Sequence, residues 1–303
     1  MSAHKPASHT APAWIAIMPA IFVVLWSTGF VGAKYGLPYA EPFTFLLLRF
    51  VIVALLLLVA ALVLHAPWPN TRAEVGHIAV AGVLVHAVYL GGVFSAIRQG
   101  VSAGEVALIA GLQPVLTAAM AGPLLGERVS ARQWAGFVLG LLGVVLVVSN
   151  RLAPGGADMI GYLAAFLALA GITAGTLYQK RFCSHMDLRS GAVIQFSASA
   201  VLMAVLAPLA ESMVVNWSGE FIFSLAWLVL VLSLGAISLL YLLIRHGEAA
   251  RVTSMFYLVP PVTAIMAFTF FGERLSLLAL VGIALTVLGV ALVVWRGREA
   301  LPG

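Results

Sequence analysis

Arg49 is the residue whose position most clearly points to chemistry. It lies eight residues into an apolar stretch, 41–64, which as a helix would place it roughly 12 Å from the start of that stretch. If the stretch crosses a membrane, a charge at that depth costs at least about 2.5–3.5 kcal/mol and usually faces a cavity or a partner. One interpretation is an anchor that holds a carboxylate through two parallel hydrogen bonds. The other is structural, with the guanidinium bonded to helix-end carbonyls or extended toward water.

His86 is the second candidate, because it lies midway along another apolar stretch, 74–97. Its reference pKa near neutrality suits a proton-coupled or ligand-binding role, and the alternative is a histidine that is hydrogen-bonded and only packs. His77 lies nine residues away, which is not the spacing of two metal ligands on one helix. The sequence therefore predicts no metal site and no cofactor.

The composition indicates which elements must position these side chains. Of the 303 residues, 62% are apolar and 9% are charged, against about 45–50% and about 25% in soluble domains. The 27 charged side chains cannot cover a water-soluble fold of this size, so soluble, disordered and disulfide-scaffold proteins are excluded. Cys183 is the only cysteine and cannot form an internal disulfide. The remaining class is an integral membrane protein.

Ten stretches are apolar over the roughly 20 residues that a membrane-spanning helix needs. They do not alternate between polar and apolar residues, as the strands of a membrane barrel would. The predicted fold is therefore all-α, with ten transmembrane helices at 13–33, 41–64, 74–97, 103–125, 131–149, 158–179, 189–209, 221–244, 251–271 and 277–295.

The cations of the loops predict the orientation of these spans. With the N-terminus in the cytoplasm, eleven lysines and arginines fall on the cytoplasmic side and four on the other side. Both terminal tails, 1–12 and 297–303, are therefore expected in the cytoplasm. This bias accounts for the net charge of +5. The lipid bilayer is an expected partner and nucleic acid is not.

An internal repeat relates the two halves of the chain at an offset of 146 residues. Between 112–148 and 258–294, 18 of 37 positions are identical. A one-residue shift is needed where the third span aligns with the eighth. The first repeat is predicted at 13–149 and the second at 158–296, and each holds five spans. Because five is odd, the second repeat is inverted, which is typical of transporters with a central site and alternating access.

Several motifs resemble one known family along nearly the whole chain, from about 13 to 296. The first span has a Trp-Ser-x-x-Phe pattern, the second has Arg-Phe, and both repeats carry Gly-Glu-Arg: these are residues 26–30, 49–50, 126–128 and 272–274. On these residues the chain resembles the EamA-type permeases of the drug/metabolite transporter superfamily. The resemblance implies export of amino acids, their analogues and other small metabolites across the bacterial cytoplasmic membrane. The second repeat departs from the first-span motif at Ile172–Thr176, so any site is expected to be asymmetric.

Further candidates for a solute site are aromatic and hydrogen-bonding residues inside the spans. Most ligand pockets are apolar with a few polar groups, and the alternative for each aromatic residue is packing or membrane-interface anchoring. Beside Arg49 and His86, the predicted substrate-binding residues are Trp26, Ser27, Thr28, Phe30, Tyr89, Gln113 and Tyr257.

Prolines and glycines inside the spans indicate breaks and close contacts. Prolines remove backbone donors, so Pro114, Pro260 and Pro261 are predicted hinges beside the cavity or static kinks. Small residues permit close helix contact, within the chain or in a dimer. The glycines that suggest such contact are Gly136, Gly140, Gly143, Gly282 and Gly289.

These features favour a secondary transporter that exports small organic solutes, most plausibly amino acids or related metabolites. No P-loop is present, so ATP is not expected to drive it directly. All eleven carboxylates fall near span ends or in loops, so neutral, zwitterionic or anionic solutes fit better than cations. The alternatives are a facilitative channel, an exporter of drugs or other metabolites, and an intramembrane enzyme, although the deep polar residues include no carboxylate for catalysis. Monomer and homodimer both stay open.

Overall fold

The computed structural model describes residues 13–125, 130–149, 159–236, 239, 258–273 and 276–294. Within these ranges the chain is almost wholly helical, and the β pairing is an isolated bridge between Ala40 and Val215. The helices are α1 (Ala13–Gly36), α2 (Pro42–Val63), α3 (Arg72–Gly82), α4 (Tyr89–Arg98), α5 (Ala103–Ala110), α6 (Gln113–Leu125), α7 (Ala131–Ser149), α8 (Met159–Phe182), α9 (Leu188–Ala210), α10 (Gly219–Ala226), α11 (Val259–Phe271) and α12 (Leu277–Val294). Two π-helical segments, π1 (Val83–Val88) and π2 (Trp227–Ala236), follow α3 and α10 directly.

The helices account for the ten predicted spans, as far as the structure describes them. Five continuous segments are long and apolar enough to cross a membrane, and five shorter apolar helices occupy the other predicted spans. Large apolar side chains cover the outside of the bundle; Leu163 and Leu209, for example, are 61% and 78% exposed. Such exposure would be unfavourable in water and suits contact with lipid. The prediction of an all-α, multi-pass membrane protein is confirmed.

Polar residues at the ends of the spans start several of the helices. Thr71 precedes α3 and its side chain accepts a hydrogen bond from the backbone of Glu74. Ser102 and Glu105 form a reciprocal capping box at the start of α5. These side chains satisfy the free backbone N–H groups of a first helical turn. The charged and polar residues therefore lie where they end one span and begin the next.

The predicted hinge prolines lie at the beginnings of helices. In the fourth span the helix stops at Ala110 and starts again at Gln113, so Pro114 is the second residue of α6. Pro260 and Pro261 are the second and third residues of α11. Proline suits the first turn of a helix because its missing N–H has no helical partner there. Pro114 therefore follows a break in the span, and any movement there would occur between α5 and α6.

The second and seventh spans pack against each other as an antiparallel pair, α2 against α9. Arg189, at the start of α9, donates to the carbonyl of Leu64, just after α2, at 3.2 Å. At mid-length the rings of Phe50 and Phe196 meet with their centroids 5.8 Å apart. The repeat offset makes Phe50 and Phe196 equivalent residues. Two equivalent side chains that touch on antiparallel helices place a pseudo-two-fold axis between them.

The fifth and tenth spans, α7 and α12, are related in the same way. A Cβ atom on Gly143 would lie 2.4 Å from the carbonyl oxygen of Gly282, and one on Gly289 would lie 2.5 Å from that of Gly136. The hydroxyl of Thr286 also donates to the carbonyl of Gly140, its equivalent at the offset of 146, at 3.4 Å. The glycines predicted to permit close helix contact therefore do so within one chain. The inverted arrangement of the two five-helix repeats follows from these pairs.

Candidate functional site

Arg49 lies in the interior of the bundle, as the eighth residue of α2, and is only 4% exposed. Its Nη2 donates a hydrogen bond to the hydroxyl of Ser233 at 3.1 Å. Its Nε is buried and has no hydrogen-bond partner. In the part of the chain that the structure describes, no carboxylate pairs with this guanidinium. A permanently charged group is thus held at depth by a neutral partner, an arrangement that is costly without an anion nearby.

Ser233 is presented to Arg49 by the π-helical segment of the eighth span. Its hydroxyl donates to the carbonyl of Leu228, five residues earlier, at 3.0 Å, and accepts the bond from Arg49. Because the hydroxyl proton is used within π2, the oxygen lone pairs face the guanidinium. Single π-helical turns inside membrane helices often occur at functional sites.

His86 lies in π1, the corresponding segment of the third span, and is half-buried. Its ring stacks on Phe196 with centroids 4.1 Å apart, and the ring of Phe50 lies 6.3 Å away. Gln195 directly precedes Phe196 on α9, and its Nε2 donates to Oε1 of Gln179 at 3.1 Å. Polar side chains therefore lie beside the central pair of phenylalanines.

Tyr89 completes the group of predicted residues that the structure brings together. It is the first residue of α4, directly after π1, and it is buried. The ring of His86 lies 6.3 Å from that of Phe50, the residue after Arg49. Arg49, His86 and Tyr89, together with Ser233 and Gln195, are called here the central cluster.

The four candidates on α1 lie at contacts with the second repeat. Ser27 donates to the carbonyls of Val23 at 2.8 Å and Val259 at 3.4 Å. Thr28 accepts a hydrogen bond from the indole N–H of Trp227 at 2.9 Å. Phe30 is buried in the main core and Trp26 is half-buried. Ser27 and Thr28 thus join α1 to α11 and π2, and their hydroxyls do not bond to Arg49 or His86.

Gln113 makes a separate contact between the repeats. Its Nε2 donates to the hydroxyl of Thr176 at 3.1 Å, which joins α6 to α8. Tyr257 lies outside the described residues. A cavity of about 170 Å³ lies nearby, lined by apolar side chains of Leu112, Val115, Leu116, Phe137, Leu141, Phe166 and Leu169. It offers no polar group to a solute and does not include the central cluster.

An ion pair joins the two repeats at the end of the bundle where α1 ends and α12 begins, called here the Lys34 end. Lys34 donates to the carboxylate of Glu273, and its ammonium lies 5.0 Å from the ring centre of Phe271. The same carboxylate oxygen accepts a bond from the backbone N–H of Ala103 at 3.4 Å. Gly272 allows this geometry because its φ of 66° ends α11 in the left-handed conformation.

Two further glutamates close the Lys34 end between α2 and α9. The carboxylate of Glu211 accepts bonds from the backbone N–H groups of Phe43 and Thr44, both at 2.7 Å, and so caps α2. Glu41 accepts bonds from the backbone and the hydroxyl of Ser212 at 2.7 and 2.6 Å. The hydrogen bond from the Ser212 hydroxyl lowers the pKa of Glu41 below its usual value. Each repeat thus supplies a carboxylate to the backbone of the other.

Several residues of these contacts were not among the sequence candidates, including Ser233, Gln195 and Glu273. Gln195 had a usable signal, because the repeat offset places it opposite Arg49. The only sequence signal for Ser233 was its alignment with His86 at an offset of 147, within the stretch that requires a one-residue shift. Among the described residues, no group of three or more histidine, cysteine, aspartate or glutamate side chains is arranged to hold a metal ion.

Comparison with known proteins gives one family and several relatives. Residues 13–149 and 159–295 each match the model of the EamA-like transporter family. A Bacillus subtilis protein named "Uncharacterized transporter YvbV" is 28% identical over 286 residues, covering 92% of this chain and 90% of that protein. An Escherichia coli K12 protein named "Probable amino-acid metabolite efflux pump" is 25% identical over 298 residues, covering 94% and 97%. A crystal structure with 23% sequence identity has a TM-score of 0.62 and covers 93% of this chain and 96% of that one, which supports the fold.

Proposed function

Because the chain belongs to the EamA-like transporter family, we propose that it is a secondary transporter that exports amino acids or related small metabolites. The observation that carries the proposal is the buried guanidinium of Arg49, which has a neutral hydrogen-bond partner and one nitrogen without any partner. A solute carboxylate would supply the missing negative charge and accept two parallel hydrogen bonds. The relative named an amino-acid metabolite efflux pump agrees with this chemistry.

Alternating access is the mechanism that the repeat architecture favours. The contacts of Lys34 with Glu273, and of Glu41 and Glu211 with the opposite repeat, support a state in which the Lys34 end is closed. The loop cations predict that this end faces outward, with both termini in the cytoplasm. The solute would enter from the cytoplasm and reach Arg49. Separation of the repeats at the Lys34 end would then release it outside.

The antiparallel pairs on the pseudo-two-fold axis would serve as the pivots of this movement. The α7–α12 contact is made where glycines let the two helix backbones approach closely. The break before Pro114 would let α5 and α6 tilt against each other, and Pro260 and Pro261 in the first turn of α11 would be the equivalent hinge. Ser27, Thr28 and Gln113 bond to the second repeat. With Trp26, Phe30 and Tyr257, they would line the cavity when it opens.

Transport by the purified protein in liposomes tests this proposal. A panel of labelled amino acids, monocarboxylates and amines is presented with and without a pH gradient across the bilayer. Saturable transport of amino acids is expected. Acceleration by the pH gradient would indicate proton coupling, and its absence would indicate facilitated diffusion. Transport that rises linearly with concentration would indicate a channel, and no transport of any amino acid would contradict the proposal.

A further inference from the structure

The hydrogen bond between Arg49 and Ser233 has a counterpart on the other side of the pseudo-two-fold axis. Arg49 is equivalent to Gln195 at the offset of 146. Ser233 is equivalent to His86 at the offset of 147, which applies between the third and eighth spans. The ring of His86 stacks on Phe196, the residue that follows Gln195 on α9, and Ser233 bonds to Arg49. The members of each pair come from a π-helical segment and from a helix of the opposite repeat, and the rings of Phe50 and Phe196, the residues after Arg49 and Gln195, are in contact.

The two equivalent pairs differ in chemistry. The guanidinium of Arg49 is a permanent cation that only donates hydrogen bonds. Gln195 is neutral and uses its Nε2 to donate to Gln179, which leaves the carbonyl oxygen of its amide as an acceptor. The imidazole of His86 adds a second acceptor when it is neutral. One half of the central cluster therefore attracts an anion, and the other half offers hydrogen-bond acceptors.

The close approach of α3 to α9 holds Gln195 in this position. A Cβ atom on Gly82, the last residue of α3, would lie 2.4 Å from the Cα atom of Gln195. One turn further along α9, the hydroxyl of Ser199 donates to the carbonyl of Gly82 at 3.0 Å. Stacking on Phe196 fixes the ring of His86. Helix packing thus fixes the position of Gln195, and ring stacking fixes that of His86.

We infer that Gln195 and His86 bind the ammonium group of the same solute whose carboxylate binds Arg49, so that the site selects zwitterionic amino acids. This inference rests on the proposed function. A monocarboxylate would leave the Gln195 and His86 acceptors without a donor, and buried polar groups without partners are unfavourable. An amine without a carboxylate would meet the uncompensated positive charge of Arg49. Sites that use buried polar groups in this way discriminate strongly against analogues that lack the matching group.

Binding of paired ligands to the purified protein tests the inference. Two amino acids, L-leucine and L-phenylalanine, are each compared with the same molecule lacking the amino group, 4-methylpentanoate and 3-phenylpropanoate. For the wild type, the amino acid is expected to bind at least about tenfold more tightly than its analogue, because each lost hydrogen bond to a charged group is substantial. Gln195→Met, which retains the length of the side chain, should reduce this ratio to within about twofold while binding of the monocarboxylate is unchanged.

A second variant and a control keep the result interpretable. His86→Phe preserves the stack on Phe196 and should reduce the same ratio, even if Gln195→Met does not fold. Ser190→Ala removes a buried hydroxyl from the same helix, bonded to the carbonyl of Pro67, and should leave the ratio unchanged. An unchanged ratio in both variants would overturn the inference, and so would an equal loss of affinity for the amino acid and its analogue. Neither result would overturn the proposed function. Failure of the wild type to bind either amino acid would overturn the proposed function as well.

Discussion

The guanidinium of Arg49 and the hydroxyl of Ser233 form a 3.1 Å hydrogen bond between the two repeats. A solute carboxylate that binds Arg49, as proposed, would use a donor that Ser233 occupies in the structure. The serine would then compete with the solute, which gives the first prediction.

Ser233→Ala should lower the stability of the solute-free protein and increase its stabilisation by a bound amino acid. Loss of the hydroxyl leaves a second guanidinium donor unpaired, at a cost of about 1–3 kcal/mol, and that donor then becomes available to the carboxylate. Thermal unfolding in detergent, with and without the amino acid, measures both effects. Ser224→Ala is the matched control, because it removes a buried hydroxyl that bonds to the carbonyl of Gly32. A ligand effect no larger than that of the control would contradict the prediction.

Cross-linking the Lys34 end should stop transport. The ion pair of Lys34 and Glu273 joins the first span to the turn after the ninth, and release of a solute requires these elements to separate. With Cys183 replaced by serine, Lys34→Cys and Glu273→Cys are introduced together and joined by a short bifunctional thiol reagent that a reductant cleaves. Transport should fall on cross-linking and return on reduction. The two single-cysteine variants control for modification alone, and unimpaired transport in the cross-linked protein would argue against alternating access.

Gly143→Leu should destabilise the protein by about 1–3 kcal/mol or more. A Cβ atom there would lie 2.3 Å from the hydroxyl oxygen of Thr286 and 2.4 Å from the carbonyl oxygen of Gly282, so α7 and α12 would have to separate. The thermal midpoint in detergent measures the effect. Gly76→Ala in α3 is the control, because no atom lies within 4 Å of its added Cβ and alanine favours helices. Equal midpoints for the two variants would show that the α7–α12 contact does not contribute to stability.

The sequence allowed the membrane class and the inverted repeat to be predicted, because apolar length and an odd number of spans per repeat are properties of the chain itself. It also singled out Arg49, since a lone cation at depth is unfavourable wherever the helices pack. Ser233 was not predictable in the same way. A serine in an apolar span is common, and its contact with Arg49 depends on the π-helical register of π2.

The sequence also did not predict which charged side chains pair at the helix ends. The repeat aligns Lys34 with Lys180 and Glu127 with Glu273, but it does not say which lysine meets which glutamate. That depends on the packing of α1 beside α5 and α11, which brings Lys34, Ala103 and Glu273 together. Pro114 was predicted as a kink or hinge, and the break that precedes it at Gly111 and Leu112 depends on local backbone geometry that the proline alone does not specify.

The most direct test of the central claim is the effect of removing the charge of Arg49 on amino-acid transport. Arg49→Gln is compared in liposomes with Arg189→Gln, which removes an arginine that is 42% exposed, pairs with Asp187 and bonds to the carbonyl of Leu64. Both proteins are first shown to be folded by size-exclusion chromatography. Loss of a charge-assisted bond to the carboxylate should reduce transport by at least about tenfold in Arg49→Gln, whereas Arg189→Gln should stay within about twofold of the wild type. Transport by Arg49→Gln at the rate of the control would contradict the role of Arg49 as the carboxylate anchor.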